Sequence, residues 1–247
     1  MKKLFNWKVI LGMLMIIFSA AIYYIHFLIF RDAHHIFIYL IGDIAFVFLE
    51  VLFVTMIIHG LLVHREKQAI FNKLNMVIGA FFSEVGIELL KKCSGFDQEA
   101  FKITKYLVAI KDWSNKEFIR IKKQLERHDA HIDIKKGNIE ELKDFLIVKR
   151  QFLLNLLENP NLLEHESFTN LLWAVFHLTD ELAYRIDLSS LPDTDYQHLA
   201  GDIRRVQHCL IIQWLDYMKH LKLNYSYLFS LAIRTNPFDV NASVEVK

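Results

Sequence analysis

An all-α fold, built as a two-helix transmembrane hairpin followed by a cytosolic helical bundle, is the class this sequence predicts. Three observations predict it. Only three prolines, Pro160, Pro192 and Pro237, interrupt 247 residues. Alternation of β-branched residues is scarce, whereas apolar residues recur three and four positions apart through most of the chain. Near the N-terminus lie two apolar runs of the length a bilayer requires, about 20 residues. Hydrophobic residues make up 53% of the chain, and 20 of them are Phe. That is high for a soluble protein of this size.

The first run, residues 9–30, carries no charge and follows Lys2, Lys3 and Lys8. A cleaved signal would be shorter and end in a small-residue site. Ser19-Ala20-Ala21 imitates that site poorly, and the apolar run continues past it. The second run, residues 36–63, follows the link Arg31-Asp32-Ala33-His34-His35. Lysine and arginine collect before the first span and after the second, at Arg65, Lys67, Lys73, Lys91 and Lys92, while the link holds one arginine. The positive-inside bias puts both termini in the cytoplasm at the inner (plasma) membrane and the link outside.

Within the second span, Asp43 and Glu50 stand seven residues apart, nearly two helical turns, so both leave one face. A carboxylate in hydrocarbon is costly and marks a packing or functional site with a partner. Counting depth inward from the link sets Tyr23 and Tyr24 opposite Asp43, with hydroxyls to hold it. Glu50 lies near mid-membrane, where the antiparallel neighbour offers Ser19 or nothing. Three readings of Glu50 compete: a protonated carboxyl bonded within a helix bundle, a ring of copies around a cation path, and a proton relay with His59. His59 is nine residues on, half a turn from the shared face. All three need more than two helices, so the chain is expected to form a homo-oligomer.

Residues 64–92 continue the helix as an extension, ended by Ser94-Gly95, with Gly60 as a point of bending. Gly79, Ser83 and Gly86 recur at three and four residues, with Ala80 beside the first. Small residues at that spacing let helix backbones approach. They mark an assembly face that transmits movement to the span, an ordinary buried core helix, or a helix lying at the membrane surface. Residues 93–238 read as a cytosolic α-helical domain, and 239–247 as a tail. Asp97 is expected to cap a helix to about residue 110, and Ser114 with Glu117 to form a capping box opening a basic helix to about residue 127. Gly137-Asn138 breaks the chain before a helix over 139–158. Helices over 167–186, 194–221 and 225–234 follow. The first of them presents Leu171, Leu172, Phe176 and Leu182, and the long second one Leu199, Ile203, Val206, Leu210, Trp214 and Met218.

The sequence excludes more chemistry than it offers. Lys+Arg 29 against Asp+Glu 28 gives no basic field for nucleic acid. Cys93 and Cys209 are far apart and in no metal or redox pattern, so they read as reduced thiols. The cluster His128, Asp129, His131 and Asp133 reads as a solvated helix end. His177 with Glu181, and His198 with Asp202, are four apart and read as intrahelical salt links rather than ligands. Arg204 with His208, like Arg127 with His131, falls one residue short of the arginine–histidine spacing of helical ribonucleases. No phosphate-binding loop, dinucleotide fingerprint or nucleophile elbow occurs. The chain is expected not to be an enzyme and to need no cofactor or metal. The function expected is a self-assembling, cation-permeable membrane pore with a cytosolic assembly or gating domain. The alternative is a membrane-anchored sensor or protein-interaction module.

Overall fold

The computed structural model describes residues 7–160, 162 and 165–245, and within these the side chains of all but residues 8 and 68–72. Lys2, Lys3 and the last two residues of the expected tail lie outside the described residues. The chain divides into two units, Met1–Glu66 and Lys67–Lys247. It is all-α: among the described residues there is no strand, only an isolated antiparallel bridge between Asp97 and Ile132.

The first unit contains helix α1 (Trp7–Phe30) and the beginning of α2 (Ala33–Phe81). Residues 9–30 and 33–67 are each long and apolar enough to cross a membrane. The expected five-residue link is only two residues long. Arg31 turns into the left-handed region, at φ 50°, and its N–H returns to the Phe27 carbonyl at 2.8 Å. Asp32 then accepts from the backbone N–H of His34 at 2.9 Å and of His35 at 3.2 Å. A side-chain acceptor at that position satisfies the first free N–H groups of a helix. This cap is why Ala33, His34 and His35 join α2. Gly60 does not interrupt the helix.

The second unit begins in α2. One π turn, Phe82–Gly86, follows directly, and α3 (Ile87–Ser94) carries the chain to Gly95. The helix expected to end at Ser94-Gly95 does so, with one wider turn inside it. Then come α4 (Ala100–Leu107), a 3-10 turn (Val108–Asp112), α5 (Asn115–Leu125), α6 (Ile139–Leu157), α7 (Glu166–Tyr184), α8 (Asp193–Asn224) and α9 (Ser226–Arg234). The capping box at Ser114 forms, with Ser114 accepting from the Glu117 N–H and Glu117 accepting from the Ser114 N–H. Asn138 caps α6 through the Glu141 N–H at 3.1 Å. Asp97 does not cap α4. Its carboxylate accepts from Glu99 N–H in a turn and from Gln207 in the interior, so α4 starts later, at Ala100.

Helix α8 is the hub, with α3, α5, α7 and α9 packed on it. Its expected core face, Leu199 to Met218, is buried throughout, against Leu172, Val175 and Leu178 of α7 and Phe81, Phe82 and Leu89 of the α2–α3 segment. Leu171, Leu172 and Leu182 are buried as expected, whereas Phe176 is only partly so, with the Arg150 guanidinium over its ring at 5.0 Å. Each fully buried side chain of this size contributes about 1.5–3 kcal/mol. Trp214 takes Phe238 edge-on at 5.1 Å, and Asn236 donates to the Leu107 carbonyl at 3.0 Å. These two contacts close the core at the boundary expected for the tail, which itself is tied back by Arg234 donating to the Val244 carbonyl.

Candidate functional site

The most concentrated polar chemistry lies where α7 runs into α8. The loop between them is held tightly. Asp187 accepts from the Ser189 N–H at 2.8 Å and from the Ser189 and Ser190 hydroxyls, each at 2.6 Å, which pulls its carboxyl down to about 2. Arg185 grips Asp195 with two nitrogens, at 2.8 and 2.7 Å, and Glu181 with a third at 2.6 Å. Hydrogen bonding to this guanidinium holds the carboxyls of Glu181 and Asp195 below their usual range.

With the hairpin fixed, the two pairs read from sequence as separate salt links become one cluster. His177 Nε2 lies 3.5 Å from Asp202 Oδ2 and 3.9 Å from Glu181 Oε1. His198 Nε2 lies 3.3 Å from Asp202 Oδ2 and 3.5 Å from Glu181 Oε2. The donor atoms of His177, His198 and Asp202 all fall within 4.8 Å of one another. Asp202 is buried, while both histidines are about half exposed. The signal was present in the sequence. His177 and Asp202 stand twelve residues either side of the Ser189–Ser190 pair, and Glu181 and His198 stand eight either side. Residues equidistant from the turn of an antiparallel helix pair are neighbours, so symmetry about this turn brings the two pairs together.

A cavity of about 260 Å³ opens along α8 beside this cluster, with Arg205 shared between the two. Ile103, Leu125 and Ile211 supply apolar walls, and Arg204, Arg205 and His208 stand at it beside His128 and Asp129. Arg204 reaches Asp129 at 3.5 Å. The structure thus joins two groups that sequence spacing kept apart, the Arg204–His208 pair and the His128–Asp129 end of the polar cluster. His131 and Asp133 instead serve the bridge: Gln98 N–H donates to the His131 carbonyl, and the Gln98 amide to Asp133 at 3.0 Å.

The intramembrane candidates are placed differently from expectation. Asp43, Glu50, Tyr23, Tyr24 and His59 are all exposed, and the tyrosine hydroxyls make no hydrogen bond to Asp43. Only His26, Ile36 and Leu40 are partly covered in residues 7–67, apart from residue 8. The contact between α1 and α2 is therefore confined to the bend, where the His26 and His35 rings are 5.7 Å apart and Tyr39 stands 4.6 Å from His35. The short bend also moves the register. Asp43 is about 15 Å into α2 and Tyr23 about 10 Å back along α1 at 1.5 Å per residue, a mismatch of one turn.

The small-residue series is largely consumed inside the second unit. Gly86 lies under the rings of Phe81 and Phe82, and a Cβ at Gly79 would stand 3.4 Å from the Tyr217 hydroxyl of α8. Ser83 is exposed. The arrangement is that of a packed core helix over most of its length.

Comparison with known proteins places the chain. No solved structure matches it. Residues 70–234 match the family model described as the uncharacterized protein MJ1433, C-terminal helical domain, and residues 2–62 match that of the MJ1433 N-terminal helical domain. The uncharacterized protein MJ1433 of Methanocaldococcus jannaschii is 48% identical over 242 residues, covering 98% of this chain and 97% of the relative. With the two models matching either side of the division in the fold and the relative aligned along nearly its whole length, the chain belongs to the MJ1433 family.

Proposed function

We propose that the protein is an integral membrane protein that assembles from several copies through α2 and passes cations along the stripe marked by Asp43 and Glu50. One observation carries this reading. Two carboxylates leave one face of an apolar helix of spanning length, both are exposed, and neither has a hydrogen-bond or ion-pair partner within the described chain. In lipid such a group needs shelter. A single chain has none to offer, because α1 covers α2 only at the bend. Copies of α2 facing one another would enclose the acids and, with water between them, form a cation path. Lysines at both flanks favour cytoplasmic termini, with the second unit inside the cell.

A second reading is favoured by the cavity beside Arg204 and His208. There, the spans only anchor a helical domain that binds a ligand or protein. One experiment separates the two. The full chain is reconstituted in nanodiscs for mass measurement and in liposomes for ion flux, beside Glu50→Gln. The pore reading expects several copies per particle and a flux reduced several-fold by the substitution. Assembly without flux leaves the anchored module. A monomer without flux removes the proposal.

A further inference from the structure

The cluster at the α7–α8 hairpin has a feature that salt links do not explain. Asp202 is 3% exposed, and its Oδ2 accepts no hydrogen bond, although two imidazole nitrogens lie 3.3 and 3.5 Å away. Neither ring N–H is therefore aimed at the carboxylate. The donor atoms of the three groups lie within 4.8 Å of one another without bonding to one another. Ligands gathered around a metal ion stand at such spacings. Bonds of about 2.0–2.1 Å set the ligand atoms of a tetrahedral ion about 3.3–3.4 Å apart, close to the 3.3 and 3.5 Å from Asp202 Oδ2 to His198 and His177, while Glu181 Oε1 stands wider, at 3.9 Å from His177.

We propose that His177 Nε2, His198 Nε2 and Asp202 Oδ2 bind a divalent transition-metal ion of zinc's class, with Glu181 as the fourth donor. Two neutral imidazoles and two carboxylates balance the ion's charge. Imidazole donors select this class over magnesium and calcium, which take oxygen ligands. The surrounding groups orient the donors as ligand-supporting residues do. Arg205 holds the other Asp202 oxygen at 3.2 Å, and Arg185 holds Glu181 Oε2 at 2.6 Å while Oε1 stands 3.9 Å from His177. Two ligands come from each helix, so the ion clamps α7 to α8. Four protein donors make a closed, structural site.

The test uses the full chain in detergent, purified without a histidine tag, stripped with chelator and titrated with zinc chloride and with cobalt chloride. The expected result is one ion per chain, visible absorption of four-coordinate cobalt, and a melting temperature that rises with metal to a plateau. The double variant His177→Gln, His198→Gln is expected to lose all three. Both side chains are half exposed, so its metal-free helical signal should equal that of the parent. Arg205→Ala, which removes only a supporting group, should weaken binding about tenfold or more. Failure of the parent to bind one ion, or an ion retained in full by the double variant, overturns the proposal.

Discussion

Cys93 shows how far one residue's surroundings set its chemistry. It has no exposed surface in α3, packed in the core with Leu89, Leu90 and Phe96, and burial pushes its thiol up to about 12. Desolvation penalises the thiolate, so the proton stays on across the whole range in which an unfolded cysteine, near 8.5, would release it. Cys209 on α8 is half-buried, and burial raises it too, partly opposed by the charge of Arg205. At pH 8, iodoacetamide is expected to modify Cys209 slowly and Cys93 not at all. Adding denaturant should make both react at the rate of a free thiol, with mass spectrometry of peptides as the readout. Native-state labelling of Cys93 at a comparable rate to Cys209 would mean that the α3 core opens readily. The redox reading made from sequence needed only the positions of the two residues. Their difference in reactivity needed the packing.

At the scale of elements, the π turn between α2 and α3 decides an argument that helix propensity alone gets backwards. Replacing glycine by alanine inside a helix ordinarily gains up to about 1 kcal/mol. At Gly86, however, the new Cβ would lie 2.5 Å from Phe82 Cδ1 and 2.9 Å from Phe81 Cε1. Neither ring can retreat. Phe82 is stacked on Tyr217 at 5.1 Å, and Phe81 meets Phe168 edge-on at 5.4 Å. Overpacking costs about 1–3 kcal/mol, so Gly86→Ala is expected to lower the melting temperature by several degrees. Gly201→Ala on α8 is the matched control, because nothing lies within 4 Å of its Cβ; it should hold or raise that temperature. Thermal unfolding followed by circular dichroism reads both, and a rise at Gly86 would contradict the packing described. The helices themselves were legible because core spacing, the Ser114 box and the Asn138 break are local signals. The role of Gly86 was not, since spacing alone cannot distinguish a glycine covered by its own chain's rings from one awaiting another helix. The cluster at α7 and α8 fell between these cases. Each pair was visible alone, and their meeting depended on recognising the turn as an axis of symmetry.

Across the whole molecule, the apolar surface is divided as the contacts are. Large apolar side chains along residues 7–63 are exposed one after another, whereas beyond residue 73 they are exposed singly or in pairs, as at Phe101 and Ile186, except for one group at Leu223, Tyr225, Tyr227, Leu228 and Leu231. Exposed apolar area costs about 25 cal/mol per Å² in water, so under the proposed reading the first unit is expected to need lipid, detergent or other copies. The second unit does not. Leu74, Ile78, Phe81 and Phe82, at the end of α2, belong to the same buried cluster as Phe168, Trp214 and Phe238. A chain cut to begin at Lys67 would keep all of these and every helix that packs on α8. Residues 67–247 are therefore expected to express without detergent, with strong helical dichroism and one cooperative thermal transition. Fluorescence of the buried Trp214 should shift to the red at the same midpoint. An aggregated product, or helicity without a cooperative transition, would show that the helical core depends on residues before 67. Success would also divide the labour between the units. Any assembly or ion flux lost by the cut chain would then belong to residues 1–66 with Asp43 and Glu50, and metal binding kept by it to the hairpin of α7 and α8.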